Sequence, residues 1–409
     1  MNRLQYHRRL LEPHVERLLK SFPVCVLTGA RQTGKSTLVQ KFPGASKRAY
    51  FSLDELDVLE QARTHPDSLL RHPAPITIDE VQRSPDLLLA VKRVVDKNRV
   101  PGQFLLTGSA NLLLMQRVSE TLAGRAVYLS LWPMTHQETR GFPSAGMWSQ
   151  FFELASSDWS NSINEMKGES LDWRETVRRG GYPTPALSLD DASSRADWFA
   201  GYVRSYLERD VQDVASISSL VDFRRLMRAT CLRLGAMVNQ TEIARDVGMS
   251  QPTVHRYLNA LEASYQLVRI PAYAVNKTKR LIKTPKVYWV DTGLAMHIAG
   301  EHEPRGAHLE NLILNDLLTW RSGLRDEPQV LYWRASTGQE IDFVIEWNGK
   351  LLPIEVKSTA KPRTEDARNI SLFRSEYGKQ ALRGLLVHTG VQTRWLSDDA
   401  LAVPWWKVI

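Results

Sequence analysis

The 409-residue sequence predicts an α/β protein: a doubly wound parallel sheet, then helices, then a second and mixed sheet. Three observations predict it. A β-rich apolar run, Val24–Leu27, leads into a glycine-bounded loop and an amphipathic helix. Strands and helices alternate after it, as they do in parallel α/β sheets. From about residue 287 the pattern becomes strand, helix, then several strands: KVYWVDTGL, HLENLILNDLLTW, QVLYWRA, EIDFVIEW, KLLPIEVK and RGLLVHT.

Composition bounds the rest. The length suits two or three domains, each with its own core. Hydrophobic residues make up 43%, and no apolar run approaches the ~18 residues of a membrane span, so no membrane partner is expected. The segment MNRLQYHRRLLEPHVERLLK reads as one face of a helix interrupted near Pro13, rather than a secretory leader. Cys25 and Cys231 stand far apart in apolar contexts, so neither a disulfide framework nor a zinc cluster is expected, and a reducing cytoplasm is the natural home. The net charge of +8 favours a polyanionic partner.

The strongest motif follows the first strand. Gly29-Ala30-Arg31-Gln32-Thr33-Gly34-Lys35-Ser36 fits G-x-x-x-x-G-K-[ST]. Glycines let such a loop wrap so that backbone N–H groups point at phosphate. Gly29, Gln32, Thr33, Gly34, Lys35, Ser36 and Thr37 are therefore the candidate ATP-binding residues. Lys35 can neutralise phosphate oxygens, and Ser36 can ligate Mg²⁺. In APITIDEVQ a strand ends at Asp79-Glu80. A carboxylate there can hold magnesium through water, and the next can polarise the attacking water. The strand in GQFLLTGSANLLL ends at Thr107 and Ser109, where a polar side chain can sense the γ-phosphate. ATP and Mg²⁺ are the expected cofactors.

Residues 20–135 resemble the AAA+ ATPase core. The order phosphate loop, Asp-Glu strand, polar strand and LAGR (122–125) is similar to one bacterial and archaeal branch with a fused C-terminal domain. GGYPTP (180–185), YLERDV (206–211) and VYWVDTGLA (287–295) resemble further landmarks of that branch. The resemblance implies a homo-oligomeric ring in which a neighbour's arginine completes the site. Arg125 is the candidate, with Arg117 as runner-up. Arg209 is a weaker candidate for responding to nucleotide.

The expected domains are an ATPase core at 1–135, a helical lid with an insertion at 136–215, a winged helix-turn-helix at 216–284, and a mixed-sheet domain at 285–409. In the lid, Trp148, Phe151, Phe152, Leu154, Trp159 and Trp173 read as core. In VNQTEIARDVGMSQPTVHRYLNALEASYQLVRI, Ile243, Ala244 and Val247 form a short helix face, Gly248–Ser250 a turn, and Val254, Tyr257, Leu258 and Leu261 an inward face. Ser250 can cap the second helix. Gln251, Thr253, His255 and Arg256 are then placed to meet the major groove. The run NKTKRLIKTPK adds Lys277, Lys279 and Arg280, with Lys283 and Lys286, as candidate phosphate contacts. DNA is the expected partner, with a protein partner as the alternative.

The last domain resembles the restriction-endonuclease-like, PD-(D/E)xK nuclease-like fold. Asp342, Glu355 and Lys357 match its Asp…Glu-x-Lys pattern, and Glu310 matches its helix position. The resemblance implies that Glu310, Asp342 and Glu355 hold Mg²⁺ while Lys357 orients water or stabilises charge on phosphate. The alternation in EIDFVIEW equally fits a half-buried strand with solvated charges. Three functions stay open at this point: a DNA-acting ATPase with or without nuclease activity, a signal-transducing NTPase switch, and an assembly factor.

Overall fold

The strand that carries the glycine loop, β1 (Val24–Thr28), is buried along its whole length. The computed structural model describes residues 6–108, 121–166, 170–207, 217 and 219–409. β1 lies between β4 (Phe104–Thr107) and β5 (Ala126–Ser130), with β3 (Ile76–Asp79) and β2 (Ala49–Ser52) beyond β4. The order is β2-β3-β4-β1-β5, and every pairing is parallel. Alternate β1 residues serve two cores. Val24 and Val26 pack with Leu88 and Val91, while Cys25 and Leu27 pack with Leu11, Val15 and Leu38. Helices α1 (Glu12–Leu19) and α2 (Lys35–Lys41) cover one face; α3 (Leu56–Thr64), α4 (Pro66–Leu70) and α5 (Leu87–Lys97) cover the other. Both faces are dry, which is why β1 reads as a continuous apolar run. Pro13 starts α1 rather than interrupting it. A first-turn proline loses no hydrogen bond, because its N–H would have no partner there.

The described residues between 136 and 202 include α6 (His136–Thr139), α7 (Gln150–Glu153), α8 (Trp159–Glu165), α9 (Trp173–Arg179), α10 (Pro183–Leu187) and α11 (Ala192–Tyr202). Trp148, Phe151, Phe152, Trp159 and Trp173 are buried. Leu154 instead remains 37% exposed, since the chain leaves α7 there.

Among the described residues three helices and a hairpin follow: α12 (Leu220–Leu232), α13 (Gln240–Val247), α14 (Gln251–Ala263), and β6 (Leu267–Ile270) antiparallel to β7 (Lys286–Trp289). Gly248 closes α13 in the left-handed conformation, and the Ser250 hydroxyl accepts the Thr253 N–H at the start of α14. Ile243, Ala244, Val247, Val254, Tyr257, Leu258 and Leu261 are all buried. The expected start of the last domain at 285 is corrected. It cuts this hairpin, because β7 pairs with β6 after an excursion that contains α15 (Lys277–Ile282).

The second sheet is mixed, in the order β12-β13-β11-β10-β9-β8. β8 (Gln329–Arg334), β9 (Glu340–Trp347) and β10 (Lys350–Lys357) are antiparallel neighbours. β11 (Gly384–His388) runs parallel to β10 and to β13 (Ala400–Pro404), and β12 (Arg394–Ser397) closes the edge. α16 (Thr292–Ala299) and α17 (Gly306–Ser322) precede it, α18 (Arg368–Tyr377) follows β10, and α19 (Trp405–Val408) ends the chain. Trp148, Phe223, Leu258, Leu314, Ile354 and Val403 belong to one hydrophobic core, so the helical segment, the three-helix unit and the second sheet are packed together.

Two buried carboxylates stitch these parts. Asp291 accepts N–H bonds from Gly181 at 2.6 Å, Tyr182 at 3.2 Å and Leu294 at 2.8 Å. Asp316 accepts the indole N–H of Trp148 at 2.6 Å. Burial pushes the Asp316 carboxyl up to about 7 and that of Asp291 up to about 6. The sign of the pH effect follows. Between its unfolded and folded titrations the native state binds one proton more than the unfolded chain, so Asp316 lowers stability as pH rises from about 4 to about 7. The slope is about 1.4 kcal/mol per pH unit. Asp316→Asn keeps an acceptor for Trp148 and removes the charge. Urea unfolding of this variant should lose less stability than the native chain between pH 5 and 7, and a parallel pH dependence would show that Asp316 is ionised throughout.

Candidate functional site

The glycine loop sits at the C-terminal edge of the first sheet, where β1 passes into α2. Gly29 has φ +142°, and a Cβ there would come within 2.3 Å of the Leu131 carbonyl oxygen. Gly34 has φ +93° and Gln32 φ +63°, so the loop curls back on itself. The buried Lys35 ammonium donates to the Gly29 and Ala30 carbonyls at 3.2 and 2.8 Å. It is thereby held across the mouth of the loop, where an anion would receive it. Thr33 is buried and its hydroxyl donates to Ala30. Ser36 is half-buried and Thr37 exposed in the first turn of α2.

Asp79 ends β3, two strands from β1 at the same edge of the sheet, and is buried. Tyr50 donates to one of its oxygens at 2.8 Å, and Thr107 to the other. Thr107 also accepts the Glu80 N–H at 3.2 Å. Glu80 stands at φ +58°, an unusual conformation for a non-glycine residue. Burial pushes its carboxyl up, while the Lys35 charge pulls the other way. The hydroxyl of Ser36 and the carboxylate of Asp79 are hard-oxygen donors of the kind that Mg²⁺ takes alongside nucleotide phosphates. Of the expected polar sensors, Thr107 is a clamp on Asp79 and Glu80, and Ser109 lies outside the described residues. So do Arg117 and Arg209. Arg125 lies just before β5, at the opposite edge of the sheet from the loop, paired with Asp96 through two guanidinium nitrogens.

Sequence reasoning missed the groups that hold the loop from outside. Arg9 is buried; it donates to the Thr33 carbonyl at 2.8 Å and the Trp132 carbonyl at 2.7 Å, and lies 3.1 Å from the Glu138 carboxylate. Tyr202 reaches the Arg31 carbonyl at 3.4 Å, and Gln266 donates to the Tyr202 oxygen at 3.0 Å. The Tyr265 hydroxyl lies 2.9 Å from Thr28 Oγ1 and 3.1 Å from Ser130 Oγ. Tyr265 has φ +56° where the chain leaves α14. One signal was available: Thr135-x-x-Glu138 is a capping box, and it forms. No spacing announces Tyr265 or Gln266, which lie more than 230 residues beyond β1.

The acidic residues of the second sheet do converge. Asp342 on β9 accepts the Val356 N–H of β10 at 2.9 Å. Glu355 and Lys357 are paired at 2.5 Å, and Glu310 on α17 accepts the Tyr288 hydroxyl at 3.1 Å. The expected metal clasp has a competing charge at its centre. The Lys286 ammonium, 2% exposed, lies 3.3 Å from Asp342 and 2.5 Å from Glu340. Among the described residues no three His, Cys, Asp or Glu side chains are arranged to hold a metal ion. Burial, and then the Asp342 charge, push Glu310 and Glu355 well above the ordinary carboxylate range. One Glu355 oxygen is buried without a hydrogen-bond partner. The donor set therefore does not fit a resident metal, because an ammonium from the hairpin strand β7 already supplies the positive charge.

On α14, Gln251, His255 and Arg256 are exposed, while the Thr253 hydroxyl is engaged by the Ser250 cap at 2.9 Å. Lys277, Lys279 and Lys283 are exposed. Arg280 is not a surface contact, against expectation. It is 7% exposed, stacks 4.7 Å over Tyr273 and grips both carboxylate oxygens of Glu346, because its helix lies against the edge strand β8 and its neighbour β9. Lys286 is likewise withdrawn from the basic run.

Residues 21–140 match the AAA domain family, 170–305 a domain of unknown function (DUF8612), and 305–408 another domain of unknown function (DUF4143). The first match supports an AAA-type P-loop NTPase, and with it nucleotide binding. An uncharacterized protein of Mycobacterium tuberculosis is 27% identical over 405 residues, spanning 97% of this chain and 83% of that protein. One of Haemophilus influenzae is 21% identical over 383 residues, spanning 88% of each. Among solved structures, a Walker-type ATPase of Pyrococcus abyssi aligns with TM-score 0.44 and 15% identity over 70% of this chain and 94% of that one. A RuvB variant of Thermotoga maritima aligns with TM-score 0.29 and 17% identity over 66% and 93%. No helix among the described residues is long and apolar enough to cross a membrane.

Glu80→Gln keeps the shape of the site and removes the base. It should retain ATP binding while turnover falls by about 10²-fold or more. Lys35→Ala should instead weaken binding itself. Turnover at the native rate in Glu80→Gln would reject Glu80 as the group that polarises water.

Proposed function

We propose that the chain is an ATP-hydrolysing AAA-type machine that acts on DNA, binding duplex through its three-helix unit and gripping it without cutting. The observation that carries this reading is the contact between the nucleotide loop and the exit of α14. Tyr265 touches Thr28 and Ser130, and Gln266 reaches Arg31 through Tyr202. Both ends of that path have chemistry to exchange. One holds the turn that ATP, with Mg²⁺ on Ser36 and Asp79, would tighten. The other holds a helix whose outer face carries Gln251, His255 and Arg256. Helix-turn-helix units present such residues to the major groove. Exposed Lys277, Lys279 and Lys283 add phosphate contacts of the sequence-independent kind.

Arg125 is suited to act in trans. It stands away from its own loop, and its partner Asp96 is a surface residue. Surface ion pairs exchange at little cost, so a neighbouring subunit's phosphates could draw the arginine across. A ring of copies is the assembly this requires.

The second sheet is read as a grip because Lys286 and Lys357 already balance its acids. Linear, branched and single-stranded DNA should therefore all survive incubation with Mg²⁺ or Mn²⁺. Metal-dependent cuts that disappear in Asp342→Ala would restore the nuclease reading.

Duplex DNA should raise ATP turnover, and Tyr265→Phe, which removes one hydroxyl from the path, should cut that stimulation several-fold while duplex binding stays intact. Turnover that ignores every form of DNA would leave the protein-binding switch as the better reading.

A further inference from the structure

The faces of α12 and α13 enclose a cleft of about 580 Å³ that the basic run and the recognition helix do not include. Four arginines line it, Arg225, Arg228, Arg233 and Arg245, against one carboxylate, Asp246. Asp246 is already divided between Arg233 and Arg245. Among the described residues Arg225 pairs with Asp222, at 3.6 Å. Among the described residues Arg228 pairs with no carboxylate. The floor is small and apolar, with Ala229 and Val247 buried beneath the charges. Like charges gathered over a low-dielectric floor raise the local potential and draw a polyanion. Guanidinium groups bind phosphate through two parallel N–H bonds, which suits them to a backbone of phosphates.

We infer that this arginine cleft is a phosphate-backbone site for duplex DNA, separate from the base-facing residues of α14. The inference rests on the reading of the chain as DNA-acting. Continuity favours an extended nucleic acid over a short acidic peptide. Arg245, Asp246 and Gly248 in the cleft wall lie on the last turn of α13 and the bend that leads into α14. The exposed Gln251 follows three residues later. A strand lying in the cleft would continue toward the helix that carries Gln251, His255 and Arg256. Phosphate contacts of this kind fix register, and base contacts supply sequence preference.

The test is the salt dependence of binding to short labelled duplexes of two unrelated sequences, between about 50 and 200 mM salt. Arg225→Gln combined with Arg228→Gln should weaken both duplexes alike and flatten the log–log slope by about 2, since each lost phosphate contributes roughly 0.9. Arg225→Lys combined with Arg228→Lys should keep the slope. Both side chains are exposed, so thermal unfolding should not move; this guards against a folding defect. An unchanged slope in the glutamine variant, with native binding intact, would overturn the cleft while leaving the DNA reading in place. A native protein that binds neither duplex would overturn both. Displacement by polyglutamate as readily as by unlabelled duplex would reassign the cleft to a protein partner.

Discussion

Asp291 is the constraint on which the assembly of this chain depends. Its carboxylate is fully buried, and a buried charge is costly unless backbone dipoles compensate it. Here three backbone N–H groups do so, two from the Gly181–Tyr182 turn and one from the start of α16. The approach is close enough that a Cβ on Gly180 would stand 2.4 Å from an Asp291 oxygen, so that position must lack a side chain. The GGYPTP and VDTGLA segments, more than 100 residues apart, are halves of one joint.

From that joint the restraint passes to the nucleotide loop. Tyr182 is fixed by the turn, its hydroxyl meets that of Tyr202 at 3.0 Å, and Tyr202 reaches Arg31. Arg9 holds the same loop from the other side through Thr33. Phosphate-binding backbone gains from being set before the anion arrives, because the ordering cost is then already met. The anchoring here comes from three separate stretches of chain, so the loop's stiffness is a property of the packed molecule. The exit of α14, through Tyr265 and Gln266, is part of the same scaffold.

The acidic cluster of the second sheet shows how one grouping of carboxylates admits two chemistries. Carboxylates brought together in a dry place need a cation or protons. A divalent metal meets that need in a nuclease; here Lys286 meets it from the hairpin strand, and burial holds Glu310 and Glu355 toward their protonated forms. The substituting charge comes from β7, which the sequence places in a basic run and the structure places beneath β9.

By itself the sequence determined the elements whose periodicity or backbone chemistry is local. The strand–loop–helix at 24–41, the Asp79-Glu80 strand end, the Ser250-capped helix and the mixed sheet were all legible, because apolar alternation, glycine spacing and capping residues act within a few positions. Asp342, Glu355, Lys357 and Glu310 were also legible as a group, through resemblance. Only the tertiary structure decided what those charges meet. It buried Arg280 against Glu346, set Lys286 among the acids, paired β7 with β6, and brought Tyr265 to Thr28. It also arranged Arg225, Arg228, Arg233 and Arg245 around one cleft. The physical reason is common to the four that concern side chains. A charged or hydroxyl side chain acquires its role from the partner that burial supplies, and that partner is set by packing between segments that carry no signal of each other.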